Sequence, residues 1–184
     1  MAHRTDAEMT GLLAAIAGSP ADHGVLRGIT VRPDHGLRET PGSVAISLAG
    51  GVAGDHWAKG CWKSLPDGTP HPDVQICIMN ARAIAFIAGS EDPADWAPAG
   101  DNLFVDLDIG PENLPAGQRL AIGSAEIEIT AEPHLGCRHF SARFGRPALR
   151  FVNSPQGRAM RLRGVYARVV RDGTVSVGDR ITKT

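Results

Sequence analysis

Aromatics and cysteines are scarce in this sequence, and it has no long apolar run. Nine of its 184 residues are aromatic (five Phe, three Trp, one Tyr), so a core must rest on Val, Ile, Leu and Ala. No stretch approaches the ~18 apolar residues of a membrane span, and the opening MAHRTDAEMTGLL lacks the apolar centre of a secretory signal. The three cysteines, Cys61, Cys77 and Cys137, form no CxxC pair, and an odd number argues against a disulfide scaffold. From these absences a reducing cytoplasm, away from membranes, is the expected compartment. Motifs that would name a cofactor are also missing: there is no GxxxxGK[ST], GxSxG, HExxH or GxGxxG. The glycine-rich run Gly50-Gly51-Val52-Ala53-Gly54 leads into Asp55-His56 rather than into a helix, which weakens a dinucleotide reading.

Glycine and proline, in contrast, are abundant. With 22 Gly and 13 Pro the chain exceeds their average combined share of roughly 12%, without reaching the bias of disordered sequences. That excludes a simple helix bundle and favours short strands joined by turns. The net charge of −1 conceals an asymmetry, since residues 1–137 carry 8 Lys/Arg against 18 Asp/Glu and residues 138–184 carry 11 against 2. Such a split suggests either internal ion pairing or an anion site. Without aromatics interleaved among the basic residues, nucleic-acid binding is not expected.

The patterning supports this view. Residues 6–17 have Met9, Leu12, Leu13 and Ile16 at helical spacing, closed by Gly18-Ser19-Pro20. Val25–Arg32 and Val44–Leu48 alternate as strands, whereas 57–73 is rich in turn residues. Val74–Met79 reads as a buried strand, and Asn80 as the cap of a helix over Ala81–Ala88. Further strands are predicted at Leu103–Leu107, Gln118–Ile122, Ala125–Ala131, Gly164–Val170 and Thr174–Val177, with Arg171-Asp172-Gly173-Thr174 predicting a hairpin. Pro147 is placed to start a helix. Short strands at this spacing suit a barrel or sandwich with small helices at its ends.

Two constellations carry candidate chemistry. His56, His71 and Cys61, with Asp55 and Asp73 nearby, offer nitrogen, sulfur and oxygen donors for a metal, although their spacing matches no structural zinc pattern. The sharper feature is Glu132-Pro133-His134-Leu135-Gly136-Cys137-Arg138-His139-Phe140, where a cysteine follows a strand in a Pro/Gly turn among basic residues. Positive neighbours favour the nucleophilic thiolate, whereas most free cysteines are buried and inert, and local chemistry leaves both readings open. Cys77, inside VQICIM, reads as core, and Cys61 as structural.

Four segments, in order, resemble the MOSC domain family, the module named for the C-terminal part of molybdenum cofactor sulfurases. They are Gly51-Val52-Ala53-Gly54-Asp55-His56, Gly100-Asp101-Asn102-Leu103 with Leu120–Ala125, Cys137 after its strand, and Gly164–Val169 through Gly173 to Gly178-Asp179. The resemblance spans residues 26–182 and implies a mainly β fold: a MOSC-like β-barrel with a few short peripheral helices, over residues 26–184, preceded by an N-terminal helical extension (1–25). It further implies that Cys137 is the catalytic residue, as a sulfur carrier through a persulfide or as a molybdenum ligand. The resemblance assigns Gly54, Asp55, His56, His71, Asn102, His134, Arg138 and Arg143 to binding a molybdopterin-type cofactor. His134 and Gly136 stand where many relatives have the Arg and Pro of R-x-P-C, and His71-Pro72-Asp73 replaces a His-Gly-Gly. No pyridoxal-phosphate domain is evident. A stand-alone module of this kind would work with a cysteine desulfurase or a molybdoenzyme. The alternatives are a non-catalytic barrel that binds cofactor or partner, and a reductase component acting on N-hydroxylated compounds.

Overall fold

The computed structural model describes Thr5, Glu8 and residues 13–184. The predicted N-terminal helix is seen as α1 (Leu13–Ala17), with Ile16 buried. Its earlier part, Met9 and Leu12 included, lies outside the described residues.

Ten strands follow: β1 (Gly24–Ile29), β2 (Ser43–Ser47), β3 (Gly51–Val52), β4 (Ile76–Asn80), β5 (Leu103–Asp106), β6 (Arg119–Ile122), β7 (Ala125–Ile129), β8 (Val165–Arg171), β9 (Gly173–Ser176) and β10 (Arg180–Lys183). Seven close a barrel in the order β1-β10-β6-β7-β8-β4-β5, and β3-β2-β9 form a separate sheet. Only the β4–β5 pair within the barrel is parallel. The fold is therefore mainly β, and its interior is filled by aliphatic side chains such as Leu26, Ile76, Ile78, Leu103, Ile127 and Ile129. With so few aromatics, this is the core that the composition requires.

β4 shows how the sequence positions the site. Strand period sends Ile76 and Ile78 into the barrel and Cys77 and Met79 outwards. Helix α2 (Ala81–Ala88) covers Met79, while Cys77 packs with Val74 and Tyr166. All five residues of β4 are thus buried, which is why they read as a continuous apolar run rather than an alternation. Asn80 caps α2 as expected, its side-chain oxygen accepting from Ala83 N–H at 3.0 Å, and Gly89 closes the helix at φ 71°. The short α3 (Pro93–Trp96) follows. Helix α4 (Arg138–Asn153) is broken at Gly145, whose φ of 86° is non-helical, and Pro147 stands where the second half restarts. Ser154 then caps α5 (Pro155–Ala159).

The hairpin expected at Arg171–Thr174 does not form. β8 pairs with β7 and β4, whereas β9 leaves the barrel and pairs with β2. The residues that suggested a turn serve this crossover instead. Asp172 accepts from Leu48 N–H at 2.8 Å, and Gly173 passes so close to the β6–β7 turn that a Cβ there would lie 2.5 Å from Ala125 N. β10 was not anticipated at all, yet by pairing with β1 and β6 it closes the barrel.

Candidate functional site

A cavity of about 920 Å³ opens beside the outer face of β4. Its walls come from the segment after β1, from the turn over His56–Lys59, from the Ala99–Gly100 turn, and from the loop and first helical turns around Cys137. Of the expected site residues, His56, His134, Cys137 and Arg143 line it. Gly54, Asp55, His71, Asn102 and Arg138 do not. Cys137 is exposed at the N-terminal boundary of α4. A smaller groove of about 520 Å³, beside α2, contains none of the expected residues.

Asp55 and Asn102 instead support a residue that the sequence reading did not select, Arg32. Asp55 accepts from Arg32 Nε at 2.8 Å and from Nη2 at 2.9 Å, while Asn102 Nδ2 donates to Asp55 Oδ2 at 3.0 Å. Arg32 Nη1 donates to Gly100 O at 3.0 Å and lies 3.7 Å from Cys77 Sγ. Burial pushes the Asp55 carboxyl up, but the bonds and charge of Arg32, together with two backbone N–H donors, hold it below its ordinary value. Asp55 and Asn102 are therefore a clamp one layer behind the cavity wall.

A second buried pair stands beside the first. Arg163 Nη1 donates to both oxygens of Asp101, at 2.9 and 2.7 Å, Nη2 donates to Ala99 O at 3.2 Å, and the guanidinium lies 5.0 Å from the Phe140 ring centre. Arg38 and Arg143 differ from these two. Among the described residues no carboxylate pairs with either, and they meet at Gly100, where a Cβ would stand 3.5 Å from Arg38 Nη2 and 3.6 Å from Arg143 Nη1. Gly100 has φ 83°, which a side chain would also strain. Arg143 is anchored to Pro98 O at 2.5 Å. Burial and the charges of Arg143 and Arg32 press on Arg38, lowering its pKa. Two guanidiniums held together without a carboxylate partner have the donor pattern that matches an anion.

The opposite wall is aromatic. The His134 ring stacks on Tyr166 at 4.3 Å between centres, and Trp62, 67% exposed, lies 6.3 Å from Tyr166. The His134 side chain is only 7% exposed, and its Nδ1 lies 3.6 Å from Asp101 without a hydrogen bond. Burial, then Arg163 and Arg32, push its pKa well down, so the imidazole is neutral at pH 7. His56 is lowered too, by burial first and then by Arg32, against the pull of Asp55. Several residues of this lining keep a buried polar atom without a partner behind the surface: Arg38 Nε, His56 Nδ1, Trp57 Nε1, His134 Nδ1 and Arg163 Nε. The arginines and Lys59 of the lining make it a basic wall.

No group of three His, Cys, Asp or Glu able to hold a metal occurs among the described residues, so His56, His71 and Cys61 do not converge. His71 caps a short turn, accepting from Asp73 N–H at 3.2 Å. Cys61 lines the cavity and donates to Lys63 O. Cys77 is buried, as expected, yet it also floors the cavity.

The family model for the MOSC domain matches residues 66–182. The chain belongs to the MOSC domain family. That match begins after β1–β3, although β1 is part of the closed barrel. The structure resembles YuaD from Bacillus subtilis at 18% identity, covering 87% of this chain and 94% of that one, with a TM-score of 0.63. It also resembles YiiM from Escherichia coli (17% identity, 87% and 69% covered, TM-score 0.55) and YiiM from Geobacillus stearothermophilus (16%, 89% and 73%, 0.55). These likenesses establish the MOSC-type barrel. No curated protein matches the sequence significantly. No helix among the described residues is long and apolar enough to cross a membrane.

Proposed function

We propose that the cavity binds a molybdopterin-type cofactor or a fragment of it, and that Cys137 acts there as a thiolate that carries sulfur. The family is associated with this cofactor, and the residues present suit it. Arg38 and Arg143 would hold its phosphate, with His134 and His56 offering polar contacts to the ring system. When bound, the group supplies a metal centre with redox and sulfur-ligand chemistry. The chain supplies the rest: Arg32 and Arg163 are locked by Asp55 and Asp101, so they shape the wall without collapsing into the cavity. Neutral His134 offers hydrogen bonds without adding charge. The observation that carries this reading is the Arg38–Arg143 anion cradle in the same cavity as an exposed cysteine.

As a sulfur carrier in a reducing cytoplasm, Cys137 would take sulfur from a protein such as a cysteine desulfurase and pass it to the cofactor or to a molybdoenzyme. Incubation with a desulfurase and cysteine should add one sulfur to the intact mass of the wild type and none to Cys137→Ser. No adduct on either would overturn charging by a desulfurase.

A second reading, Cys137 as a molybdenum ligand in a reductase of N-hydroxylated compounds, is favoured by the size of the cavity. At about 920 Å³ it exceeds what a persulfide alone needs. Here the purified wild type should hold more molybdenum than Cys137→Ser after expression in a host that makes the cofactor.

A further inference from the structure

We propose that Cys137 is charged with sulfur directly by a low-molecular-weight, anionic sulfane-sulfur compound, such as thiosulfate or an organic persulfide, seated by Arg38 and Arg143. This rests on the sulfur-carrier reading and names its donor.

The cavity, not the cysteine alone, leads to this inference. Cys137 is exposed and forms part of the wall of a half-open basic cavity, which a small anion can enter. Arg32, Arg38, Lys59, Arg143 and Arg163 line that space, and Asp34 is its one lining carboxylate among the described residues. The charges of Arg32 and Arg163 are matched by Asp55 and Asp101. Those of Arg38 and Arg143 are not, and the two guanidiniums approach the same face of Gly100, which carries no side chain to come between them. An oxyanion or carboxylate beyond that face can take contacts from both guanidiniums.

The transfer needs no oxidant. The Cys137 thiol gives its proton to water, and the thiolate attacks the outer sulfur of thiosulfate. A sulfur–sulfur bond forms to Cys137 as the bond to the sulfonate sulfur breaks, and sulfite leaves with the electron pair. With glutathione persulfide the leaving group is the glutathione thiolate. In both cases Cys137 ends as a persulfide.

Three arms test the donor: thiosulfate, glutathione persulfide, and a cysteine desulfurase with cysteine. Intact mass and, in the first arm, released sulfite are followed. Thiosulfate or glutathione persulfide should add one sulfur at Cys137, lost in Cys137→Ser. Arg38→Gln and Arg143→Gln should each slow this loading about tenfold, with partial recovery in Arg143→Lys. Thermal midpoints of these variants at or above that of the wild type separate loss of anion binding from loss of structure. Loading by the desulfurase alone overturns the small-donor inference and leaves the carrier reading standing. Loading in none of the arms overturns both. Arginine variants that load from thiosulfate as fast as wild type overturn the cradle.

Discussion

Asp55 shows what one carboxylate does for this site. Its side chain is 1% exposed, and it accepts from two nitrogens of Arg32 and from the backbone N–H groups of Arg32 and Trp57. Removing it strands a guanidinium in the protein, and Asp55→Ala should cost about 3–5 kcal/mol in denaturant unfolding. The pH dependence has a definite sign. Because the folded pKa lies below the ordinary value of 3.8, the pair's contribution is complete above that value and is lost as pH falls through the lower, folded pKa. The wild type should therefore lose stability on acidification below about pH 4, and Asp55→Asn should show a flatter profile there. In sequence, Asp55 and Asn102 were legible as special but not as a clamp. Arg32 was invisible because an arginine at the end of a strand looks like any surface cation. Arg163 and its partner Asp101 are 62 positions apart, and no local pattern joins them.

At the level of elements, what could be read depended on whether the signal was local. The cap at Asn80, the buried run of β4 and the restart at Pro147 are each set by neighbours in sequence, and each is found as expected. The Asp172-Gly173 signal misled because two structures use the same residues. A hairpin needs Gly for backbone freedom, whereas this crossover needs it for close approach. A Cβ at Gly173 would lie 2.5 Å from both Ala125 N and Ser124 C, which are backbone atoms that cannot rotate away. Gly173→Ala should thus destabilise by about 1–3 kcal/mol in thermal or denaturant unfolding, with the larger value if β9 detaches from β2. Had the residue sat in an exposed turn, the same substitution would cost only the strain of its own backbone. β10 escaped notice because Arg-Ile-Thr-Lys is short and mixed, and its pairing with β1 joins the two ends of the chain.

Across the whole molecule, the charge asymmetry resolves into two populations. Part of the basic C-terminal quarter is matched by the acidic body: Arg163 by Asp101, Arg168 by Glu128 and Asp73, and Arg171 by Glu126. Arg143 is different, because it joins Arg38 at the Gly100 gap with no acid from the described residues beside it. Internal pairing, one of the two ideas raised by the composition, therefore holds for some of these residues, and the anion site we propose rests on others. Two guanidiniums held together repel in the free protein, and an anion binding only the folded state relieves that repulsion and shifts unfolding by mass action. Inorganic phosphate should accordingly raise the thermal midpoint more than sodium chloride does at equal ionic strength, since screening alone acts on every surface pair. The gain should rise with the logarithm of phosphate concentration once the site is filled, reaching about 2.7 kcal/mol at a hundredfold its dissociation constant. Arg38→Gln and Arg143→Gln should each lose most of the phosphate-specific increment. Because they remove the repulsion as well, their midpoints without phosphate should stand at or above that of the wild type. A uniform response of all three proteins to phosphate and chloride would mean that the cradle does not select anions.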